Sequence, residues 1–307
     1  MMLERLNILA SEFESALDAQ LAGEEGSEFK LPSRDAVATI CRLYVDMLFP
    51  VFFPNQDKNH QVRKNNARLY LSEIESLLAD QICRAICFDS RLKGNPVPAH
   101  LEDCAAEQIE VLFRQLPELA RLLASDIDAA FQNDPAASSY EEILLSYPCV
   151  EAITVQRLAH RLYLEDVPFI PRMMTEVAHS HTGIDVHPGA SVGESFFIDH
   201  GTGVVIGETA TIGNKVTLYH GVTLGAFNPL GKDERGQLRR GKENKRHPDL
   251  EDNVTVYPSA TILGGKTRVG HHSVIGGNVW LTHSVAPYSK VILKDPELVI
   301  WNGAPPR

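Results

Sequence analysis

From Val186 onward the apolar residues of this chain recur every six positions. Val186, Val192, Ile198 and Val204 form one row, and Ile206, Ile212, Leu218 and Leu224 form a second after a two-residue shift. Leu250, Val256 and Ile262 resume the spacing, and Leu263, Val269, Ile275 and Leu281 carry it on after a one-residue slip. Gly, Asn, Ser, Ala and Thr gather between these aliphatics, as tight turns demand. A period of six matches neither the 3.6 of an α-helix nor the 2 of a simple strand. It matches one short face of a triangular parallel β-helix, with three hexads per coil and the aliphatic residue turned inward. The spacing therefore predicts a β-helix over residues 184–292. The gap between Leu224 and Leu250 has few aliphatics, which predicts a loop at 226–247 thrown out of the coil.

Before Gly183 the pattern is helical, and residues 1–183 are predicted to form an α-helical domain. Ser33 is placed to cap a helix running through Val37, Ile40, Tyr44 and Leu48. Leu69 to Leu92 and Leu101 to Phe131 carry the spacing of amphipathic helices, with Pro117 expected to kink or break the second. Asp134-Pro135 reads as an N-cap followed by proline at the first helical position. Further helices are predicted over Val150 to Leu164 and around Arg172 to His179, with Gly183 as a stop. Residues 293–307 are left as a C-terminal tail.

Composition narrows the class. At 44% hydrophobic and 22% charged, the 307 residues describe an ordinary globular chain. No apolar run approaches the roughly 18 residues of a membrane span, and Met1 to Leu21 lacks a signal-peptide core, so a cytoplasmic protein with no membrane contact is expected. A net charge of −11 argues against nucleic-acid binding. Cys41, Cys83, Cys87, Cys104 and Cys149 all fall in the helical half without a CxxC, the usage of packing thiols in a reducing compartment.

Three motifs carry candidate chemistry. Asp185-Val186-His187-Pro188 opens the repeat, Ile198-Asp199-His200-Gly201-Thr202-Gly203 occupies the two-residue slip, and Arg246-His247-Pro248 follows the excursion. With Val205-Ile206-Gly207-Glu208-Thr209 and Val222-Thr223-Leu224-Gly225 between them, these motifs resemble the serine acetyltransferase family of hexapeptide-repeat acyltransferases. The resemblance runs from Asp134 to Leu281, about half the chain. It implies an α+β architecture, an α-helical domain followed by a left-handed parallel β-helix, a handedness opposite to the usual crossover.

The resemblance also implies a reaction: acetyl transfer from acetyl-CoA to the hydroxyl of L-serine, the first step of cysteine biosynthesis. A hydroxyl is a weak nucleophile at neutral pH and needs a base, and histidine titrates in the right range. By resemblance His200 is that base and Asp185 the carboxylate that orients it. Asp134, Asp199, Arg246 and His247 are the residues expected to hold serine, a carboxylate suiting its ammonium and a guanidinium its carboxylate. Backbone N–H groups at Gly225 and Ala226 are expected at the thioester. Ala226 stands where many members have a second glycine. No metal is expected, and no cysteine is required, so direct transfer is expected rather than an acyl-enzyme.

Family behaviour adds L-cysteine as an expected inhibitor and a homotrimer, or a dimer of trimers, with the site between neighbouring prisms. The ending Gly303-Ala304-Pro305-Pro306-Arg307 replaces the C-terminal isoleucine that many members insert into cysteine synthase. A tight complex with that enzyme is therefore not expected. Loop 227–245 is longer than in the enterobacterial type. Its Lys232, Arg235, Arg239, Arg240, Lys242 and Lys245 read either as a solvated charge run or as contacts for the phosphates of coenzyme A. Two other functions fit the repeat. One is acetylation of a sugar or antibiotic hydroxyl, and the other a zinc-dependent carbonic anhydrase using His200, His220 and His247. Arg157 and His160 share a helix face and read as structural, and His271 and His272 as surface. The glycines at 201, 203 and 207 are not a dinucleotide fingerprint, because no helix follows them.

Overall fold

A computed structural model describes residues 11–13, 30–49, 60–228, 231–232, 237 and 243–294, with side chains of 60–65 excepted. By contacts the chain divides into two units, Met1–Leu31 and Pro32–Arg307, and the elements below belong to the second.

Among the described residues of this unit, six helices come first: α1 (Arg34–Leu48), α2 (His60–Leu92), α3 (Leu101–Asn133), α4 (Tyr140–Ser146), α5 (Pro148–Leu164) and α6 (Ile170–Thr182). Ser33 caps α1, its hydroxyl accepting from the Ala36 amide at 3.3 Å, and Val37, Ile40, Leu43 and Tyr44 form its buried stripe. Pro117 does not break α3. Leu112 and Leu119 flank it on one buried face, and that packing outweighs the roughly 3 kcal/mol cost of an internal proline. The reading of Asp134 as an N-cap is also corrected: Asp134 terminates α3, and Ser139 caps the next helix through the Glu142 amide at 3.2 Å. Gly183 ends α6 in the left-handed conformation, φ 70.

Fourteen short strands follow among the described residues, wound into a solenoid of three parallel sheets. Face A holds β1 (Asp185–Val186), β4 (Val205–Ile206), β7 (Thr223–Gly225), β10 (Thr261–Leu263) and β13 (Trp280–Leu281). Face B holds β2 (Ser191–Val192), β5 (Thr211–Ile212), β8 (Asp249–Leu250) and β11 (Arg268–Val269). Face C holds β3 (Phe197–Asp199), β6 (Thr217–Tyr219), β9 (Thr255–Val256), β12 (Val274–Ile275) and β14 (Lys290–Val291).

The register explains each irregularity of the repeat. Val205 pairs with Thr223, an unmodified coil of three hexads. Asp185 pairs with Val205, two residues more, and Thr261 with Trp280, one more. Thr223 pairs with Thr261, so the excursion adds twenty residues without disturbing the stack. A second buried row lies two positions before the first, including Ala190, Phe196, Ala210, Val216 and Val254. Val204 belongs to this second row, because the two extra residues precede it; its six-residue distance from Ile198 is a coincidence of the insertion.

Helices and coils share a core. Leu123, Ala130, Cys149 and Ile153 pack in one cluster with Phe196, Phe197 and the inward rows. At this junction Arg157 and Asp126, 4% and 5% exposed, form a two-pronged ion pair at 2.7 and 2.8 Å. Arg157 also donates to the carbonyls of Val192 and Gly193, and Asp126 accepts from the Phe196 amide. The turn that launches β3, and with it Asp199 and His200, is thus bolted to the helices.

Candidate active site

Two clusters of chemistry-bearing residues lie along opposite edges of face A. The first is at the corner where face C turns into face A. There the turn, longer by two residues, holds three of four successive residues at positive φ, with His200 at φ 60, Gly201 at φ 76 and Gly203 at φ 80. Gly201 is required twice over, since a Cβ would also fall 2.4 Å from Ile184 Cδ1. The turn projects His200 outward, its side chain 72% exposed, with Nε2 3.7 Å from the half-buried Asp199 carboxylate.

Asp134 joins this corner from the end of α3. Its carboxylate accepts the hydroxyl of Tyr147 and the amide of Ala136, the latter at 2.8 Å. The Tyr147 bond, the Ala136 amide and the charge of His200 hold the Asp134 carboxyl below the usual carboxylate range. The same bond pushes the Tyr147 phenol up. Tyr219 stacks on Tyr257 at 5.1 Å, and burial followed by Asp199 raises its phenol. His220 stands one coil on, its ring centroid 5.8 Å from that of His200.

The second cluster is at the corner where face A turns into face B. Glu208 accepts from Tyr163 Oη at 2.8 Å and from the guanidinium of Arg246. Burial pushes the Glu208 carboxyl up, but these two bonds together with the neighbouring positive charge outweigh it and the net shift is downward. His247 is 8% exposed, its Nδ1 accepting from the Thr209 amide at 3.0 Å. Burial first, then Arg246, lowers it to about 4, so the ring is neutral at ordinary pH. His187 is likewise lowered to about 4 by burial, with Nδ1 accepting from the Gly189 amide. His160 takes a structural bond to the Pro188 carbonyl at 2.7 Å.

The expected residues therefore fall into two groups. Asp134, Asp199 and His200 come together; Arg246 and His247 come together elsewhere. Gly225 and Ala226 mark the end of β7, beside the second group: the Gly207 amide donates to Leu224 O at 3.1 Å. Asp185 lies 3.5 Å from Arg172, with no ion pair to His200. Glu176, His179 and Asp185 are the one metal-compatible group among the described residues, and the histidine trio considered for zinc is not gathered within the chain. All five cysteines are free, and burial raises the thiols of Cys41 and Cys149 to about 12, which makes them inert. Of the basic loop, Lys245 is tied to Asp249 and the Thr209 carbonyl. Arg235, Arg239, Arg240 and Lys242, like residues 295–307 of the tail, lie outside the described residues.

No protein-family model matches the sequence. A serine acetyltransferase of Synechococcus elongatus is 47% identical over 259 residues, 84% of this chain and 80% of that protein. The chain belongs to the serine acetyltransferase family. The structure of serine acetyltransferase isoform 3 from Entamoeba histolytica, in complex with cysteine, superposes with a TM-score of 0.71 at 32% identity, covering 94% of each chain. The Neisseria gonorrhoeae serine acetyltransferase in complex with serine gives 0.53 at 25% identity, over 84% of this chain and 95% of that one. The fold expected from the hexad spacing is that of these serine acetyltransferases.

Several residues of the two clusters carry no role in the sequence reading. His187, Glu208 and Thr209 stand inside quoted motifs without an assigned part, and Tyr147, Tyr163, Tyr219 and Tyr257 have no motif at all.

Proposed function

We propose that this chain transfers the acetyl group of acetyl-CoA to the hydroxyl of L-serine, giving O-acetyl-L-serine for cysteine biosynthesis. The observation that carries the reading is the convergence of Asp134, Asp199 and His200 on one exposed corner. Two carboxylates there suit an ammonium group, and the histidine beside them suits a hydroxyl that must lose its proton. Arg246, held by Glu208, supplies a fork for the substrate carboxylate, and His247 supplies a neutral ring.

In this mechanism His200 takes the serine hydroxyl proton as the oxygen attacks the thioester carbon. Backbone N–H groups at Gly225 and Ala226 stabilise the oxyanion. The carbon–sulfur bond then breaks, and the imidazolium returns the proton to the departing thiolate. Asp185 steadies the imidazolium in this reading. It is tethered to the His200 turn by the Asp185 amide bond to Val204 O and the Gly203 amide bond to Gly183 O. Arg172 must release it for that role.

Neither cluster is complete alone, so the working site is placed between two copies of the chain in a trimer, alone or paired as a hexamer. One copy provides the His200 corner and its neighbour the Arg246 corner. L-Cysteine, which keeps the ammonium and carboxylate of serine, is an inhibitor competing for the same contacts; the cysteine complex of the Entamoeba relative supports this. The enzyme is placed in the cytoplasm; no helix among the described residues is long and apolar enough to cross a membrane.

The test is release of free thiol from acetyl-CoA with L-serine, set against a panel of sugar and antibiotic hydroxyl acceptors. Serine-dependent release is expected. Release only with another acceptor would transfer the reading to that substrate.

A further inference from the structure

Arg246 and His247 stand just before β8, after an insertion between β7 and β8 that adds twenty residues to one coil. A long excursion does not by itself fix its last residues, so something on the coil must. We propose that Thr209 is a positioning residue that clips Arg246-His247 to the second coil and locks the His247 ring as the tautomer protonated at Nε2. The proposal rests on the placement of Arg246 and His247 in the serine site.

Thr209 makes contact with the pair through both its backbone and its side chain. Its Oγ1 accepts from the Arg246 amide at 2.9 Å and from the His247 amide at 3.1 Å. The same oxygen lies 2.9 Å from His247 Nδ1, and the Thr209 amide donates to that nitrogen at 3.0 Å. A backbone N–H only donates, so Nδ1 presents a lone pair and the proton resides on Nε2. With two N–H groups already pointing at Oγ1, the hydroxyl hydrogen is free for Nδ1 as well. The residues before Thr209 complete the seat. Gly207 leaves room for the ring, since a Cβ there would sit 2.1 Å from His247 Cδ2 and Nε2. Glu208 grips the guanidinium, itself held by Tyr163. Three consecutive residues thus place the ring, the guanidinium and the backbone of the pair.

The consequence is a division of labour between the two histidines. His247, neutral and with Nδ1 occupied, offers a hydrogen-bond donor to a substrate oxygen and does not act as a base. His200 is left as the proton acceptor.

The experiment compares wild-type protein with Thr209→Val, which removes the hydroxyl at similar volume, and Thr209→Ser, which keeps it. Nitrogen-15 NMR of labelled histidine, with His247→Asn to assign the signal, reads the tautomer. Steady-state kinetics separate KM for L-serine from kcat. In Thr209→Val the KM is expected to rise about tenfold or more with kcat within about threefold, while the Nε2–H signal persists, because the backbone amide that donates to Nδ1 remains. Thr209→Ser is expected to restore the KM. A wild-type His247 protonated on Nδ1, or a Thr209→Val enzyme with unchanged KM, overturns the proposal. If Thr209→Val does not fold, the wild-type tautomer and the serine variant decide it. A wild-type enzyme that ignores serine would sink the proposed function instead, while the NMR comparison would still decide the clip.

Discussion

At the scale of single residues, the candidate base owes its exposure to an unusual backbone angle. His200 sits at φ 60, where most side chains cost on the order of 1 kcal/mol and asparagine much less. His200→Asn therefore removes the base while keeping the turn. It is expected to lower kcat by roughly 10²–10⁴-fold with an unchanged melting temperature. Thiol release measures the rate, and turnover near that of the wild type would remove His200 from the mechanism. Tyr147→Phe takes away the hydroxyl bond that holds Asp134, so KM for L-serine is expected to rise several-fold with little change in kcat. An unchanged KM would show that Asp134 does not need its partner. Asp199, His200, Arg246 and His247 stand out in the sequence because each sits in a compact motif beside turn residues. Tyr147 and Thr209 do not, because their partners lie 13 and 38 residues away and such hydrogen bonds leave no periodic trace.

The elements differ in how much of them the pattern could show. Inward aliphatics such as Ile206, Leu218 and Leu224 are 0–1% exposed, and this burial is what makes the hexad spacing visible. Val204 misled because an insertion of two residues put a corner residue in phase. Pro117, expected to kink or break its helix, does not end it, and Asp134 misled for a different reason: local propensity predicts an N-cap where the residue instead closes α3. The joint between helices and coils was invisible altogether, since Asp126 and Arg157 are 31 residues apart on separate helices. Its removal should be costly. Arg157→Met leaves the Asp126 carboxylate buried without its counter-charge and frees the Val192 and Gly193 carbonyls. A loss of about 3–5 kcal/mol is expected in urea unfolding, with part of it recovered in the double variant Asp126→Leu/Arg157→Met. A loss below about 1 kcal/mol would mean that the pair is relaxed or water-exposed in solution.

For the whole molecule, histidines whose charging is opposed by burial, among them His160, His187 and His247, tie stability to pH. His187 and His247 are lowered from 6.5 to about 4 in the folded chain. As pH falls below about 6.5 the unfolded chain binds protons that the folded chain refuses, so unfolding is favoured until about pH 4. The melting temperature should accordingly be highest above neutrality and decline steadily toward pH 4–5, before the carboxylates contribute. A flat profile across this range would contradict the lowered pKa of these rings. The two clusters also make a prediction about assembly. If His200 of one chain works with Arg246 of its neighbour, two inactive variants should repair each other. A His200→Asn chain keeps a sound Arg246 corner, and an Arg246→Ala chain keeps a sound His200 corner. Co-expressed in equal amounts, they would mix at random within trimers. One neighbouring pair in four would then combine the two intact corners, and about a quarter of wild-type activity should return. A site contained in a single chain gives no such recovery, because every chain carries one lesion. Thiol release from the purified mixture, against each variant alone, reads the difference directly. Activity at the level of the separate variants would place both corners in independent roles and dissolve the shared site.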